Sequence, residues 1–396
     1  MNTKVAKLNK REKRIFENYF MENGEFVFEG CWLRNQRPEN AKRSGYVDET
    51  TQRRRYIHFY SIYNTIEDKG CWLNLKNYYL YVTNTLPKEE INSYLSKILN
   101  ALSDNGYIQN DNIYTKDDME IIINTYDNHP KNNSPFPENY ISCDIVIHNI
   151  GYNYQEHQDR MWKLSTKMYR MPDKRENPTY IKDVKELINY LPAQIEMGCG
   201  PSIAAGIPPL YEMHETYKVQ NHITGCFYFS EQDTLILDVI NNPEKMYSKF
   251  TQTVLKCIRA KQTKGYKTFN KLYKAGLFKG TVYNNNFDRL VKRFDIPEII
   301  LRVYDLDCYL TPFEADKDVK SLLCLGCHAD RRQIQRQARA QGLKVIYIDP
   351  EGFYSKEGFE PYPIEGPKTS DLIWKTTFEQ AMKDLKKATK NINRQI

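Results

Sequence analysis

The stretch from Ser321 to Asp349 reads SLLCLGCHADRRQIQRQARAQGLKVIYID. The apolar run at each end has the length of a buried strand, and the polar segment between them has the length of a helix. Asp330 is predicted to cap that helix, with Gln333 three residues on as in a capping box, and Gly342 is predicted to end it. Continuous apolar strands are typical of parallel sheets, so the stretch predicts a strand–helix–strand crossover.

The same alternation extends over the second half of the chain. Strands are predicted at 194–198, 280–284 and 298–304, helices at 181–190, 266–275 and 288–294, and a last long helix from about Ser370 to Ala388. Strands that alternate with helices indicate a mainly parallel sheet covered by helices. The predicted fold class is therefore α/β.

The first half of the chain has a different pattern. An amphipathic helix is predicted within Leu86–Ile108, and a buried strand is predicted from Cys143. The Pro- and Asn-rich segment Arg170–Tyr180 is typical of a linker. Residues 1–175 are therefore expected to form a separate α+β accessory domain, and residues 176–396 the α/β domain.

Composition limits the class of protein. The chain has 396 residues, a net charge of +7 and 27% charged residues, values of a globular protein whose charge is mild for its length. This balance makes nucleic acid an unexpected partner. No membrane span is expected, because no apolar run is long enough, and no secretory signal is expected at the N-terminus. The scattered single cysteines suit a reducing cytoplasm.

The cysteines of the first stretch have two other interpretations. Cys324-Leu-Gly-Cys327-His328 matches the attachment signature of a c-type haem, but such attachment goes with export and no export signal is present. A zinc site needs two more ligands at close spacing; Cys308 and His328 are the only nearby candidates, and they do not make a zinc-ribbon pattern. The favoured interpretation places Gly326, Cys327 and His328 at the carboxyl end of a parallel strand, the edge where such sheets bind ligands.

A glycine-rich segment is the strongest functional signal. EMGCGPSIAAGIPPLY, Glu196–Tyr211, places Gly198 and Gly200 directly after a predicted strand, and Gly206 follows. Glycines at this position let the backbone approach a pyrophosphate, and free N–H groups at a helix start favour its charge. The same glycines also suit a tight turn from strand to helix.

Four segments resemble the motifs of the sirtuin family, in the same order. Gly198-Cys-Gly-Pro-Ser-Ile-Ala-Ala-Gly-Ile-Pro-Pro-Leu-Tyr211 resembles Gly-Ala-Gly-Ile-Ser-x-x-x-Gly-Ile-Pro-Asp-Phe-Arg without a gap. Asn284-Asn-Asn-Phe-Asp-Arg-Leu290 resembles Thr-Gln-Asn-Ile-Asp-x-Leu. Gly326-Cys-His328 stands at the place of a strand-ending Gly-Thr-Ser, and Asp349 at that of a strand-ending Asn. Together these segments cover roughly residues 180–390.

The resemblance implies a Rossmann-like, DHS-like NAD-binding domain. It implies that Asn286 and Asp288 face the nicotinamide and its ribose, and it makes them candidate catalytic residues. The other residues that it would place along the cofactor are Gly198, Cys199, Gly200, Ser202, Gly206, Ile207, Gly326, Cys327 and Asp349. No metal is expected.

The chain also departs from the family pattern. Val303-Tyr304 stands where the family has its catalytic His-Gly, and the zinc-binding cysteine quartet of the family is absent, so the domain is expected to lack the zinc module. Deacylation needs a base within hydrogen-bonding reach of the ribose. Asp305 and His328 are the two candidates for that base, and His328 is also compatible with an ordinary polar residue at a strand end.

Three functions remain open from the sequence. The first is a divergent sirtuin-like enzyme that cleaves the nicotinamide–ribose bond of NAD, either as a deacylase of an acylated protein or as an NAD glycohydrolase. Divergent sirtuin-like domains often hydrolyse NAD in bacterial defence. The second is an inactive sensor that binds NAD or ADP-ribose. The third is a nucleic-acid- or protein-binding module attached to a scaffold. An oligomer is compatible with each.

Overall fold

The computed structural model describes residues 3–35, 54–127, 139–153, 155, 176–207, 236–301, 311–327, 333–350 and 367–389. The chain forms two compact units. The first comprises Met1–Tyr169 with Tyr211–Leu255, and the second comprises Arg170–Leu210 with Lys256–Ile396. Residues 211–255, which the sequence analysis placed in the second domain, thus group with the first unit.

The first unit contains an antiparallel sheet. Its eight strands are β1 (Thr3–Lys7), β2 (Phe26–Asn35), β3 (Arg54–Ile66), β4 (Trp72–Pro87), β5 (Ile108–Asn110), β6 (Ile113–Lys116), β7 (Met119–Tyr126) and β8 (Tyr140–Asn149). Their order is β2-β3-β4-β8-β7-β6-β5, and β1 also pairs with β4. Neighbours in sequence pair directly over much of the sheet, which needs only short connections.

Two helices accompany this sheet, α1 (Lys10–Tyr19) and α2 (Lys88–Asp104). The predicted amphipathic helix is confirmed as α2. Its buried residues are Ile91, Tyr94, Ile98 and Leu102. The Asn84 amide on β4 donates to the Tyr94 hydroxyl over 2.7 Å, so a polar pair accompanies the apolar contact. The buried strand predicted from Cys143 is also confirmed, as part of β8.

The second unit contains a parallel sheet. Its seven strands are β9 (Thr179–Ile181), β10 (Ala193–Met197), β11 (Val282–Asn284), β12 (Glu298–Ile300), β13 (Ser321–Leu325), β14 (Lys344–Ile348) and β15 (Leu372–Trp374). Their order is β12-β11-β10-β13-β14-β15-β9, and every neighbouring pair is parallel. The α/β class with a parallel sheet in the second half is confirmed.

Further helices along the chain are α3 (Val184–Ile188), α4 (Gly200–Ile203), α5 (Pro243–Arg259), α6 (Lys264–Lys274), α7 (Ile334–Ala340) and α8 (Phe378–Thr389), with a 3₁₀ turn at Lys292–Phe294. Helix α6 buries Tyr266, Phe269 and Leu272. Its Tyr266 ring contacts Phe378 of α8 edge-on, at 5.2 Å between centroids. Among the helices that the structure describes, none is both long and apolar enough to cross a membrane.

Three local predictions differ from the structure. The helix expected from Ser370 begins only at Phe378, because Leu372–Trp374 pairs with β14 and β9 as a strand. The helix expected at 288–294 is reduced to the 3₁₀ turn at its end. Gln333 precedes α7 in a left-handed conformation and makes no side-chain cap, whereas Asp330 lies outside the described residues.

Candidate functional site

Strand order brings three loops to one edge of the parallel sheet. Met197 at the end of β10 lies opposite Asn284 of β11 and Leu325 of β13. Because β10, β11 and β13 are parallel, the residues that follow all three strands meet at the same edge. The chain leaves β10 towards β11 on one side and later returns to β13 on the other. In open parallel sheets such a reversal of direction is the position of the ligand-binding crevice, here the carboxyl ends of β10 and β13.

The glycines of the first and third motifs contact each other across this edge. A Cβ on Gly198 would lie 2.8 Å from the Gly326 carbonyl carbon, 2.9 Å from Cys327 Sγ and closer still to Gly326 O. A Cβ on Gly200 would lie 2.9 Å from Gly326 Cα. Gly326 itself has a φ of +64°, which side-chain-bearing residues rarely adopt. These glycines therefore permit the two loops to pack backbone against backbone.

Substitution of Gly198 by alanine is expected to lower the free energy of unfolding by about 2–3 kcal/mol, because the new methyl group would overlap backbone that cannot move aside. Urea unfolding measures this loss. Gly206→Ala is the matched control in the same loop, where the methyl group has open space and only the φ of +84° opposes it. We expect that control to lose only about 1 kcal/mol. Equal losses in both variants would contradict the contact.

The rest of the first motif forms a short helical turn, α4. Cys199 precedes it, and its half-buried Sγ lies 4.0 Å from Gly326 O. The backbone N–H of Ser202 donates to Cys199 O over 2.9 Å, and Ile207 N donates to Ser202 O over 3.2 Å. Gly206 has the positive φ that ends the turn, and this conformation explains why a glycine is present at this position.

Two asparagines after β11 attach that loop to β10. Asn285 donates its backbone N–H to Met197 O over 2.8 Å. The Asn286 side-chain amide donates to Gly198 O, and its backbone N–H donates to Asn284 Oδ1 over 2.9 Å. The second sequence motif therefore lies directly against the first. Asn286 is only partly buried.

Asp288 is not exposed to the crevice. Its side chain is buried and accepts hydrogen bonds from the Ser202 hydroxyl and from the backbone N–H of Leu290, the latter over 2.9 Å. Burial raises the pKa of the Asp288 carboxyl, and the two hydrogen bonds oppose this shift. Both oxygens of Asp288 are therefore used to join the first and second motifs, and Ser202, itself buried, is used in the same way.

A buried polar network that the sequence analysis missed lies beneath this edge. Glu196 in β10 is 1% exposed. Its two carboxyl oxygens accept hydrogen bonds from the Asn285 amide over 3.0 Å and from the Gln335 amide of α7 over 2.7 Å. The Tyr347 hydroxyl of β14 donates to Gln335 Oε1 over 2.9 Å. The available signal was a carboxylic acid inside a short predicted strand of a parallel sheet, because such a group is buried only where hydrogen-bond partners are present.

The network continues to an ion pair. The Arg339 guanidinium of α7 donates to Asp371 over 2.9 Å from Nε and 2.5 Å from Nη2, in a bidentate arrangement. The same guanidinium donates to the Tyr347 hydroxyl over 2.9 Å. The polar groups thus connect the carboxyl edge of β10 to the segment before β15.

A second buried ion pair supports the asparagine loop. Arg289 Nη1 lies 3.4 Å from Glu298 Oε1, and both side chains are at most 6% exposed. Glu298 Oε2 accepts from the Asn284 amide over 3.0 Å, and Asn284 Oδ1 in turn accepts from Asn286 N. Burial raises the pKa of the Glu298 carboxyl, while its bond to Asn284 and the charge of Arg289 oppose the shift. The pair therefore helps to fix the position of Asn286.

The other predicted site residues fall into two groups. Cys327 is buried, with Sγ 3.8 Å from Glu196 O, and Asp349 is buried at the end of β14. His328 and Asp305, the two candidates for the base, lie outside the described residues, and so do Val303-Tyr304, where the family's His-Gly is missing, and Cys308. Within the part of the chain that the structure describes, no group of three or more His, Cys, Asp or Glu side chains could hold a metal ion.

Three comparisons with known proteins found no similarity. No protein-family model matches the chain, and neither a curated protein nor a solved structure matches it.

Proposed function

We propose that the parallel-sheet unit binds NAD at the carboxyl ends of β10 and β13 and cleaves the bond between nicotinamide and ribose. The observation that carries the proposal is the strand order. Counted from β10, the strands β12-β11-β10-β13-β14-β15 have the order 3-2-1-4-5-6, which is typical of dinucleotide-binding sheets. In such sheets the dinucleotide lies across the position where strand order reverses, here between β10 and β13.

The contacts at that position support the proposal. The sirtuin-like motifs end β10, β11 and β13, so the resemblance and the topology indicate the same edge. The close contact of Gly198 and Gly200 with Gly326 brings the loops after β10 and β13 together at this edge, and α4 begins within the first glycine motif. Asn286, fixed by Gly198 and Asn284, is the polar side chain of this edge that the proposal places beside the nicotinamide ribose.

The proposed reaction makes modest demands on the protein. Water attacks C1′ of the nicotinamide ribose, the C1′–N bond breaks, and nicotinamide leaves as a neutral molecule while the attacking water loses a proton. The transition state resembles an oxocarbenium ion, so oriented dipoles contribute most of the stabilisation. In this proposal the Asn286 carboxamide orients the ribose, and Asp288 acts indirectly because its oxygens hold Ser202 and Leu290.

The alternative is NAD or ADP-ribose binding without turnover. The burial of Asp288 favours it, because a carboxylate already bonded to two partners is poorly placed to take a proton from substrate or water. In this alternative the crevice would be a sensor site, and binding would be read out elsewhere in the chain. The same strand order and glycine contacts support both functions, so only turnover separates them.

Asn286→Ala tests the proposal. Purified full-length protein is incubated with NAD and nicotinamide release is followed by chromatography. We expect release by the parent protein and a loss of roughly 100-fold in the variant, the cost typical of removing one positioned polar group from a catalytic site. Asn92→Ala, at an exposed position of α2, is the control and is expected to release nicotinamide at the parental rate.

Calorimetry with NAD completes the experiment. Heat of binding without nicotinamide release would establish the sensor instead of the enzyme. If neither heat of binding nor nicotinamide release is observed at millimolar NAD, the proposal that this unit binds NAD is contradicted. Equal rates of nicotinamide release by the parent protein and the Asn286 variant would support NAD cleavage but would contradict a role of Asn286 in that reaction.

A further inference from the structure

One segment of the chain accounts for its net positive charge. Residues 256–279 contain seven lysines, one arginine and no acidic residue, which gives this segment a charge of +8. Since the whole chain carries +7, the other 372 residues together carry −1. The mild net charge of the whole chain therefore conceals a local excess in the second unit. The bulk value could not show this excess.

Within this segment, four lysines form a row on α6. Lys264, Lys267, Lys271 and Lys274 are all exposed. Their spacing of three, four and three residues places them on one helical face, about 15 Å long at 1.5 Å per residue. We call these four residues the lysine row. Among the described residues, none of the four forms an ion pair with an acidic side chain.

The helix that carries the row is firmly held. Its opposite face buries Tyr266 and Phe269, and the Phe269 ring lies 5.2 Å from that of Phe278 between centroids. At its N-terminus, the Glu379 carboxylate of α8 accepts from Gly265 N over 2.7 Å, and Thr263 accepts from Tyr266 N over 3.3 Å. The row is therefore presented on a packed element, and ordering the backbone on binding costs little.

We propose that the lysine row is a binding surface for double-stranded DNA, which it contacts through the phosphate backbone. A row of basic side chains along one helix is the electrostatic signature of a phosphate-contacting surface. At 3.4 Å per base pair, a row about 15 Å long faces about four base pairs of one strand. Lysine ammonium groups donate to phosphate oxygens as point charges and do not read sequence, so the binding is independent of base sequence.

The composition of the row favours duplex DNA over other polyanions. A membrane-surface helix presents large apolar side chains beside its basic ones, whereas the apolar side chains of α6 face inward. Single strands are bound by exposed aromatic rings on which bases stack, and the Tyr273 hydroxyl instead donates to Gly280 O from a half-buried position. RNA-specific recognition uses acceptors as well as donors at the 2′-hydroxyl, and lysine supplies donors only.

The salt dependence of DNA binding tests the proposal. Full-length protein is titrated into a fluorescein-labelled DNA duplex of about 20 base pairs, and anisotropy gives Kd across a salt series. Four neutralised phosphates at about 0.9 each predict that Kd rises roughly 100-fold between about 50 and 200 mM salt. The measurement is made without NAD, so its outcome is independent of the proposed NAD reaction.

Three quadruple variants locate the binding surface. Replacing all four residues of the lysine row by glutamine is expected to remove most of the salt dependence, while replacing all four by arginine retains it. The matched control removes the same charge from exposed lysines outside the row, at Lys182, Lys185, Lys317 and Lys320, and is expected to bind as the parent does. Should the glutamine variant fail to fold, single changes at Lys267 and Lys271 are each expected to lower the salt slope by about 1.

Several outcomes would overturn the proposal. The first two are a Kd for the DNA duplex that does not change with salt, and a control set that weakens DNA binding as much as the glutamine variant of the lysine row does. The other two are tighter binding to duplex RNA than to duplex DNA, and binding to phosphatidylserine vesicles without binding to DNA.

Discussion

Glu196→Ala is expected to lower the free energy of unfolding of the parallel-sheet unit by about 3–5 kcal/mol. The substitution removes an acceptor for the Gln335 amide, which lies in a fully buried position, and one of two acceptors for the Asn285 amide. Each buried donor left without a partner costs about 1–3 kcal/mol, and the empty side-chain volume adds a cavity cost.

Glu196→Gln separates hydrogen bonding from volume. Glutamine fills the same space, and Gln335 can turn its amide over, since the Tyr347 hydroxyl is able to donate or to accept. We therefore expect this variant to lose only about 1 kcal/mol, the value of one neutral hydrogen bond. Amide hydrogen exchange of β10 and β13 peptides across a urea series reports the stability of this unit. A loss below about 1 kcal/mol in Glu196→Ala would show that the network contributes little.

Removing Arg289 alone is expected to have a similar effect, with a loss of about 3–5 kcal/mol at neutral pH in Arg289→Met. The reason is that Glu298 would keep its charge in a buried position, with the Asn284 amide as its remaining described partner. Removing both members of the pair, in Arg289→Met with Glu298→Gln, is expected to cost less than removing Arg289 alone, since no isolated charge is left.

Dependence on pH distinguishes this cause from lost packing. Burial already raises the pKa of Glu298, and loss of Arg289 raises it further. A carboxyl with a raised pKa in the folded state takes up a proton on folding, so its contribution to stability is present at low pH and is lost as the pH rises through that pKa. The deficit of Arg289→Met should therefore be smaller at about pH 5 than at about pH 7, whereas a packing defect would be the same at both.

The Arg289 variant also affects the candidate site. Glu298 holds Asn284, and Asn284 accepts from the backbone of Asn286. We therefore expect nicotinamide release to fall in Arg289→Met even where the protein remains folded. An unchanged rate in folded protein would show that the position of Asn286 does not depend on this chain of hydrogen bonds.

Local pattern was sufficient for the parallel sheet. The Ser321–Asp349 stretch has two continuous apolar runs separated by a polar helix, and both runs are buried strands in the structure. Few other folds fit this pattern, because a strand that is apolar on both faces must be packed against other elements on both faces of its sheet. Leu372–Trp374 was assigned wrongly for the converse reason: three residues are too short for a period, and pairing with β14 decided their conformation.

The edge of the sheet was predictable, but the roles of its side chains were not. The order of the motifs indicated that Gly198, Asn286 and Gly326 would lie together, and they do. The sequence could not show that the glycines also serve a contact between two loops. Nor could it show that Asp288 points into the interior, because burial depends on contacts distant in sequence, such as that with Ser202.

The division of the chain into two units has a practical consequence for expressing each unit separately. The second unit consists of two segments, Arg170–Leu210 and Lys256–Ile396, and the intervening 211–255 groups with the first unit. A truncated protein that begins near residue 176 would therefore still contain residues 211–255, which group with the first unit, without the rest of that unit. To express the parallel-sheet unit alone, residues 211–255 would be replaced by a short flexible linker. To express the first unit alone, Met1–Tyr169 would be joined by such a linker to Tyr211–Leu255.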